Sequence, residues 1–440
     1  MSDVFADFTV DALTATQKGA MKIGPFGSQL RKEEMVAHGV KVYGQENVIS
    51  SDWAVGERRI SPSKFRALSS CELESGDIVV SMMGTAGKCA VFPPDAERGI
   101  MDSHLLRIQP NLALVERDYL AIALQAENVV GRQVTAMSHG SIMAGLSSKI
   151  VKRFKIPLPP LGEQPKIVEV LRVLDTAIHE TEAIIAKLRA VKQGLLHDLL
   201  TRGIDANGEL RPPQAEAPHL YKQSSLGWIP REWEDTELGV VTTWASGGTP
   251  SRAVASNWVG PIPLLTPKDM KSFEMGDTSE HISLKAAQLG SRVMSPETVF
   301  IVVRGMILAH SFPVVLGSQS MAFNQDVKAV TAGPRLSGRF LAHWFVANSS
   351  RFLRKVTEAT HGTKKLDLAE LVGMPIGLPA LAEQQAIIER QAALDRQFAE
   401  ESHYVLQLRD LKAGLMDDLL TGRVRVTPLL AEAEPQEQSA

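Results

Sequence analysis

The residues in this sequence best suited to chemistry are the kinds that touch nucleic acid. Each half opens with a glycine-rich segment carrying hydroxyls and a base: Lys22-Ile23-Gly24-Pro25-Phe26-Gly27-Ser28-Gln29, and Ser246-Gly247-Gly248-Thr249-Pro250-Ser251-Arg252. Glycine lets a backbone approach a ligand closely, and its N–H groups can then face a phosphate. Ser, Thr, Lys and Arg add phosphate bonds that fix register without reading sequence. Reading bases needs paired donors and acceptors that match base edges in the major groove. The candidates are Gln45, Asn47, His104, Lys268, Asp269, Arg304, Asn324 and Gln325, together with the loops His139-Gly140-Ser141 and His361-Gly362-Thr363-Lys364-Lys365. Positive charge is local. Lys149, Lys152, Arg153 and Lys155 form one stretch, and Lys328 to Lys365 holds eight Lys/Arg against the single acid Glu358. Taken singly, each loop also reads as an ordinary tight turn and each cluster as a solvated surface.

Motifs for bond-making chemistry are missing. Gly84 to Lys88 is too short for a nucleotide-phosphate loop and runs into Cys89. There is no dinucleotide fingerprint, no Asn/Asp-Pro-Pro-aromatic motif for amino methylation of a base, no nucleophile elbow and no His-Glu-x-x-His. Pro94-Asp95 lies near Glu97 but lacks a following lysine at a nuclease-like spacing.

An internal repeat organises the elements that position these residues. Leu188 to Thr201 (LRAVKQGLLHDLLT) recurs as Leu408 to Thr421 (LRDLKAGLMDDLLT), identical at nine of fourteen positions at an offset of 220. Pro157 to Gln164 (PLPPLGEQ) matches Gly377 to Gln384 (GLPALAEQ), and Asp175 falls on Asp395. More weakly, Asp102-Ser103-His104 falls on Asn324-Gln325-Asp326, Val42 to Val48 on Leu264 to Met270, and Ile78-Val79-Val80 on Phe300-Ile301-Val302. The order is domain, helix, domain, helix.

The first long helix opens at Glu163-Gln164-Pro165, with an acid and a proline in its first turn. Ile167, Val170, Leu174, Ala177, Thr181, Ile184, Leu188, Val191 and Leu195 then alternate steps of three and four, a coiled-coil seam. The second stripe, Ile387, Leu394, Phe398, Val405, Leu408, Leu411 and Leu415, is interrupted by Gln391 and Glu401. The two helices are expected to pack antiparallel, with separate amphipathic helices as the alternative. Tyr119 to Ala126, and Phe340 to Val346 extending through Arg351 to Val356, read as the closing helices of the two domains.

Composition bounds the rest. With 440 residues, 44% of them apolar, the chain can build several cores. A net charge of -3 excludes a polycation that merely coats nucleic acid. No apolar run approaches the roughly 20 residues that span a bilayer. The opening MSDVFADFTVDAL lacks a secretory pattern. Cys71 and Cys89 belong to no metal-ligand spacing, so no metal site and a cytoplasmic location are expected.

In this order the motifs resemble those of the specificity subunits of type I restriction-modification enzymes. The resemblance rests on Lys22 to Gln29, on Leu226-Gly227-Trp228-Ile229-Pro230 with Trp233 and Gly247 to Ser251, on Asn324-Gln325 and the His-Gly-Ser/Thr loops, and on LPPLGEQ and LPALAEQ leading into helices that end Leu-Leu-Thr. It covers nearly the whole chain. It implies an α+β fold: two tandem mixed α/β target-recognition domains, separated and joined by two long antiparallel coiled-coil helices, with an internal pseudo-twofold repeat. The boundaries expected are 1–160 for the first recognition domain, 161–203 for the central helix, 204–380 for a linker and the second recognition domain, 381–423 for the C-terminal helix and 424–440 for a disordered acidic tail.

Implied too are double-stranded DNA as ligand, two modification (methyltransferase) subunits and restriction subunits as partners, and no membrane. Each domain would read one half of a bipartite, asymmetric target. S-adenosylmethionine, ATP and Mg would sit on the partners, with no cofactor or catalytic residue here. Ile167, Leu174, Ile184, Leu188, Leu195, Leu394, Phe398, Leu408 and Leu415 would pack helix on helix. The alternatives are a tandem scaffold that does not use DNA and an enzyme carrying its own active site.

Overall fold

The computed structural model describes residues 5–137, 146–358 and 362–433. Two compact units emerge, one made of Met1–Glu182 with His403–Ala440, the other of Ala183–Ser402. Both long helices, Gln164–Thr201 and Leu381–Thr421, are divided between the units. Each unit therefore holds one recognition domain, half of one helix and half of the other.

In the first unit a four-stranded antiparallel sheet runs in the order Met21–Ile23, Leu105–Ile108, Ile78–Ser81, Cys89–Val91. A second sheet places Met35–Tyr43 parallel to Gly99–Met101 and antiparallel to Arg59–Ile60. The apolar run at Ile78 is buried on both faces because alternate residues feed different cores. Ile78 and Val80 join Leu106, Ile108 and Tyr119; Val79 joins Leu105, Ile100 and Tyr43. Tyr43, Trp53 and Phe92 meet edge to face, with ring centroids 4.9–5.5 Å apart. Burial at each such aliphatic position stabilises by about 1.5–3 kcal/mol.

The second unit repeats this plan. Its main sheet runs Thr242–Ser246, Val327–Ala332, Val299–Val302, Val314–Gly317, Glu274–Met275. Its smaller sheet again contains a parallel pair, Ile262–Leu265 with Met321–Phe323, here at the centre of four strands. In each unit a short antiparallel ribbon leads into a long helix: Ala6–Thr9 with Lys155–Leu158, and Glu234–Glu237 with Pro375–Leu378.

A buried glutamine fixes the start of each long helix. Gln164 is fully buried. Its Oε1 accepts from the Glu116 N–H at 2.6 Å, and its Nε2 donates to the Leu114 and Pro159 carbonyls at 3.2 and 3.0 Å. Gln384 repeats these bonds with the Ser337 N–H at 2.8 Å and the Arg335 and Pro379 carbonyls at 2.9 Å. Glu116 and Ser337 are themselves N-caps, of Arg117–Gln125 and Gly338–Ala347.

The helix pairing also repeats. In the first unit Lys412 pairs with Asp175 and Arg409 with Glu182, so the two segments run antiparallel. In the second, Lys192 pairs with Asp395 and the Arg189 guanidinium lies 5.7 Å from the Phe398 ring centre. The seam departs from its expected course. Ile184 is 44% exposed, Val191 45% and Leu411 51%, whereas Leu171 is buried and Ile178 and Ile185 are half-buried. Positions 170/171, 177/178 and 184/185 are all apolar pairs, so the spacing alone allows either neighbour to face inward. Gln391, read as a break in the stripe, is 1% exposed and sits inside.

Other expectations change. The linker expected at the start of 204–380 is tied to the fold: Arg211 is buried against Glu383, Trp233 Nε1 donates to the same carboxylate at 3.1 Å, and Tyr221–Ser224 pairs with Gly227–Pro230. Within the tail expected to be disordered, Val426 is buried and Thr427–Ala433 is helical. The closing helix of the second domain breaks at Asn348 into Gly338–Ala347 and Ser349–Leu353. Both cysteines are buried and free. No described helix is long and apolar enough to cross a membrane.

Replacing Gln164 with Leu is expected to leave one buried N–H and two carbonyls unpaired, at about 1–3 kcal/mol per group. Hydrogen exchange should then speed up in the first unit, and Gln384→Leu should do the same in the second. His343 supplies a pH test. Burial, which outweighs the nearby Asp395 charge, lowers its pKa to about 4. It stacks on Phe273 at 4.5 Å. The unfolded chain takes up this proton first, near pH 6.5. Stability is thus fully present above that pH and is lost as pH falls toward about 4, by at most about 3 kcal/mol. In urea titrations at pH 7.5 and 4.5, His343→Phe should show a smaller loss than the parent.

Candidate nucleic-acid interface

The same loops converge at the strand ends of each unit. In the first, Gly24 lies against Asp102, where an added Cβ would sit 1.9 Å from the Asp102 carbonyl oxygen. In the second, a Cβ added at Gly247 would sit 2.0 Å from the Phe323 carbonyl oxygen. These glycines are required by close approach to their own chain, not to a phosphate. The hydroxyl-bearing residues beyond them face outward. Gly27, with φ +52°, Ser28 and Gln29 form an exposed turn. Thr249 Oγ1 donates to Gln325 Oε1 at 2.8 Å, joining the second glycine loop to the turn after Met321–Phe323.

Several expected base readers turn out to build the turns that present others. Asn47 is 1% exposed; its Oδ1 accepts from the Gly44 N–H, and its Nδ2 donates to the Asp52 and Val55 carbonyls. Asp269 does the matching work, accepting from Thr266 and Ser279. Burial raises its pKa, but these bonds outweigh it and hold the carboxyl below its usual range. Asp102 Oδ1 accepts from the His104 N–H at 2.9 Å, and Asn324 Oδ1 from the Asp326 N–H at 3.1 Å. These are side-chain-capped turns. Asn47 and Asn324 are corrected from base reader to turn former, because their polar atoms are occupied and buried.

What remains exposed differs between the units. Gln45 is half-buried near Gly84, with its Oε1 unpartnered; His104 and Lys149 are exposed. In the second unit Gln325, Lys268, Ser251 and Arg252 face outward. Arg252 is held bidentate by Glu280 at 2.8 Å and lies 3.9 Å from the Trp258 ring centre. Arg304 is exposed and bridges to Lys365 across the backbone. Lys22 is occupied, donating to Ser70. Thr363 is half-buried and Lys365 exposed, while Lys364 pairs with Glu358. Gly248 donates its N–H to the Phe323 carbonyl. His139, Ser141 and His361 lie outside the described residues.

Four of the eight cations in the basic stretch are paired with acids. Arg335 pairs with Glu234, Arg339 with Glu274 and Lys355 with Glu370. No ion pair engages Arg304 or Lys365 among the described residues. One contributor escaped sequence reasoning. Arg58 donates to the buried Asp102 at 2.9 Å and to Glu46 at 2.8 Å. Burial lowers its pKa, yet the two acids outweigh that and raise it overall. Nothing near position 58 in the sequence signals this bond, which joins residues 44 apart. Among the described residues no cluster of three or more His, Cys, Asp or Glu could hold a metal. Arg58→Gln should cost about 1–3 kcal/mol by leaving Asp102 without its charge partner, read as a lower urea midpoint that Asp102→Asn partly restores.

A family model described as "Type I restriction modification DNA specificity domain" matches residues 37–190 and 230–406. The specificity subunit of the Escherichia coli EcoR124I/EcoR124II type I restriction enzyme is 26% identical over 247 residues, 55% of each chain. A putative MjaX specificity subunit of Methanocaldococcus jannaschii is 25% identical over 360 residues, 80% of this chain and 79% of its own. The crystal structure of a type I restriction-modification S subunit from M. genitalium superposes with a TM-score of 0.52 at 14% identity, covering 96% of this chain and 97% of that one, a likeness of fold.

Proposed function

This chain belongs to the type I restriction-modification DNA specificity family, as its non-catalytic recognition subunit, and we propose that each unit reads one half of a bipartite DNA target. The observation that carries the reading is the division of labour in the loops. Residues that repeat between the units, such as Asn47 with Asp269 and Asp102 with Asn324, form turns. Side chains at matching places in these loops differ: half-buried Ser103 against exposed Gln325, and, both exposed, Glu46 against Lys268 and Met83 against Arg304. One scaffold presenting two sets of side chains reads two different half-sites, so the target is asymmetric.

Phosphate contacts fall to Ser28, Lys149, Thr249, Ser251 and Lys365, and base contacts to Gln29, Gln45, His104, Arg252, Lys268, Arg304 and Gln325. Tethering two modest readers multiplies affinity through effective concentration. The paired helices set the unread gap. The first has 38 residues and spans about 57 Å at roughly 1.5 Å per residue. The helices also dock two methyltransferase subunits, with restriction subunits completing a nuclease; S-adenosylmethionine, ATP and Mg belong to those partners. The methyltransferase reaches its adenine by flipping it from the stack.

The test is a methylome. The chain is co-expressed with the methyltransferase subunit of its operon in a host lacking other modification. A bipartite, asymmetric motif with a fixed gap is expected. A continuous motif would break the two-reader model, and no methylation by a verified complex would favour a scaffold that does not use DNA. Inserting four residues at Ala183 should lengthen the gap by one or two base pairs, since one helical turn adds roughly 5 Å and a pair occupies about 3.4 Å. An unchanged gap sinks the ruler.

A further inference from the structure

Among the apolar side chains left in solvent, one in each unit stands on an equivalent loop. In the first unit the loop after Ile78–Ser81 exposes Met83, 49% accessible, beside Gly84 at φ +63°. In the second, the loop after Val299–Val302 exposes Met306, 62% accessible, beside Gly305 at φ +137°. The loops are structural equivalents. Met82 donates its N–H to the His104 carbonyl, and Val303 donates to that of Asp326. Single exposed apolar residues are common on any surface. Here, however, both units carry a methionine on the same loop, at neighbouring and not matching positions, each next to a glycine in a conformation that side chains rarely adopt.

The surroundings identify the occupant. In the second unit the Gly305 N–H donates to the Lys364 carbonyl, and Arg304 bridges to Lys365. Arg304 and Lys365 are exposed cations that no ion pair engages among the described residues. In the first, the loop ends at exposed Lys88 and abuts exposed His104. An apolar tip with a cation beside it matches an apolar base stack beside phosphates. Methionine is unbranched, polarizable and adaptable in shape, so it can enter a gap between base pairs.

Resting on the half-site reading above, we propose that Met83 and Met306 are wedges, each inserting between two base pairs of its own half-site and unstacking that step. The wedge supplies preference for easily unstacked steps, a form of readout with no hydrogen bond to a base.

The experiment uses the full complex with its methyltransferase subunits, on duplexes of the motif found by the methylome. 2-Aminopurine is substituted one position at a time. In each half-site, one step away from the methylated adenine should show a several-fold rise in fluorescence on binding. Met83→Ala should abolish the rise in one half-site alone and Met306→Ala in the other alone, while Met→Leu at either position keeps it. A rise that survives both alanine variants, or no rise away from the methylated adenine, overturns the wedges and leaves the half-site reading standing. A verified complex with no bipartite motif instead removes that reading, and the wedges with it.

Discussion

Two glutamine side chains hold the architecture together. Gln164 and Gln384 each bind one N–H and two carbonyls in sites that water does not reach. A buried amide with its partners satisfied is directional in a way that apolar packing is not. It couples three things: the proline-rich approach to a long helix, the start of that helix and the N-cap of the domain's closing helix. The angle at which a recognition domain leaves its helix is therefore set by hydrogen-bond geometry. Leu171, Leu419 and Leu420 on one side, and Ile387, Leu199 and Leu200 on the other, add the apolar burial.

Charge follows a similar economy. Four of the eight cations of the basic stretch near the second closing helix pair with acids, and two of them reach acids far away in sequence, Arg335 to Glu234 and Arg339 to Glu274. Surface pairs of this kind add little stability singly. Their consequence is to subtract positive charge from most of the surface, so that what remains is local. A chain of net charge -3 can thus present a cationic loop without becoming a general polyanion binder.

Much of this was legible in the sequence. The offset of 220 announced two copies of one plan, and the matched LPPLGEQ and LPALAEQ segments turned out to carry the two keystone glutamines. The central strands declared themselves by unbroken apolar runs. Legibility failed where chemistry is ambiguous. Asn47 and Asn324 have the side chains of base readers, but a side chain that can pair with adenine can equally cap a turn, and only burial decides. Ile184 and Ile185 are equally apolar, so the face of the helix stayed undetermined by one residue. Arg58 and Asp102 are joined through the tertiary fold alone.

The first unit draws on both ends of the chain, Met1–Glu182 and His403–Ala440, while the second is the single stretch Ala183–Ser402. A ribosome delivers these pieces in order, and the first recognition domain emerges well before the segment with Leu419, Leu420 and Val426 that completes its core. The second unit is contiguous and can close as soon as its last helix segment leaves the exit tunnel. Order of synthesis and order of completion are thus reversed: the domain made first must wait, with its helix-facing apolar surface uncovered, until the segment with Leu419, Leu420 and Val426 has been made.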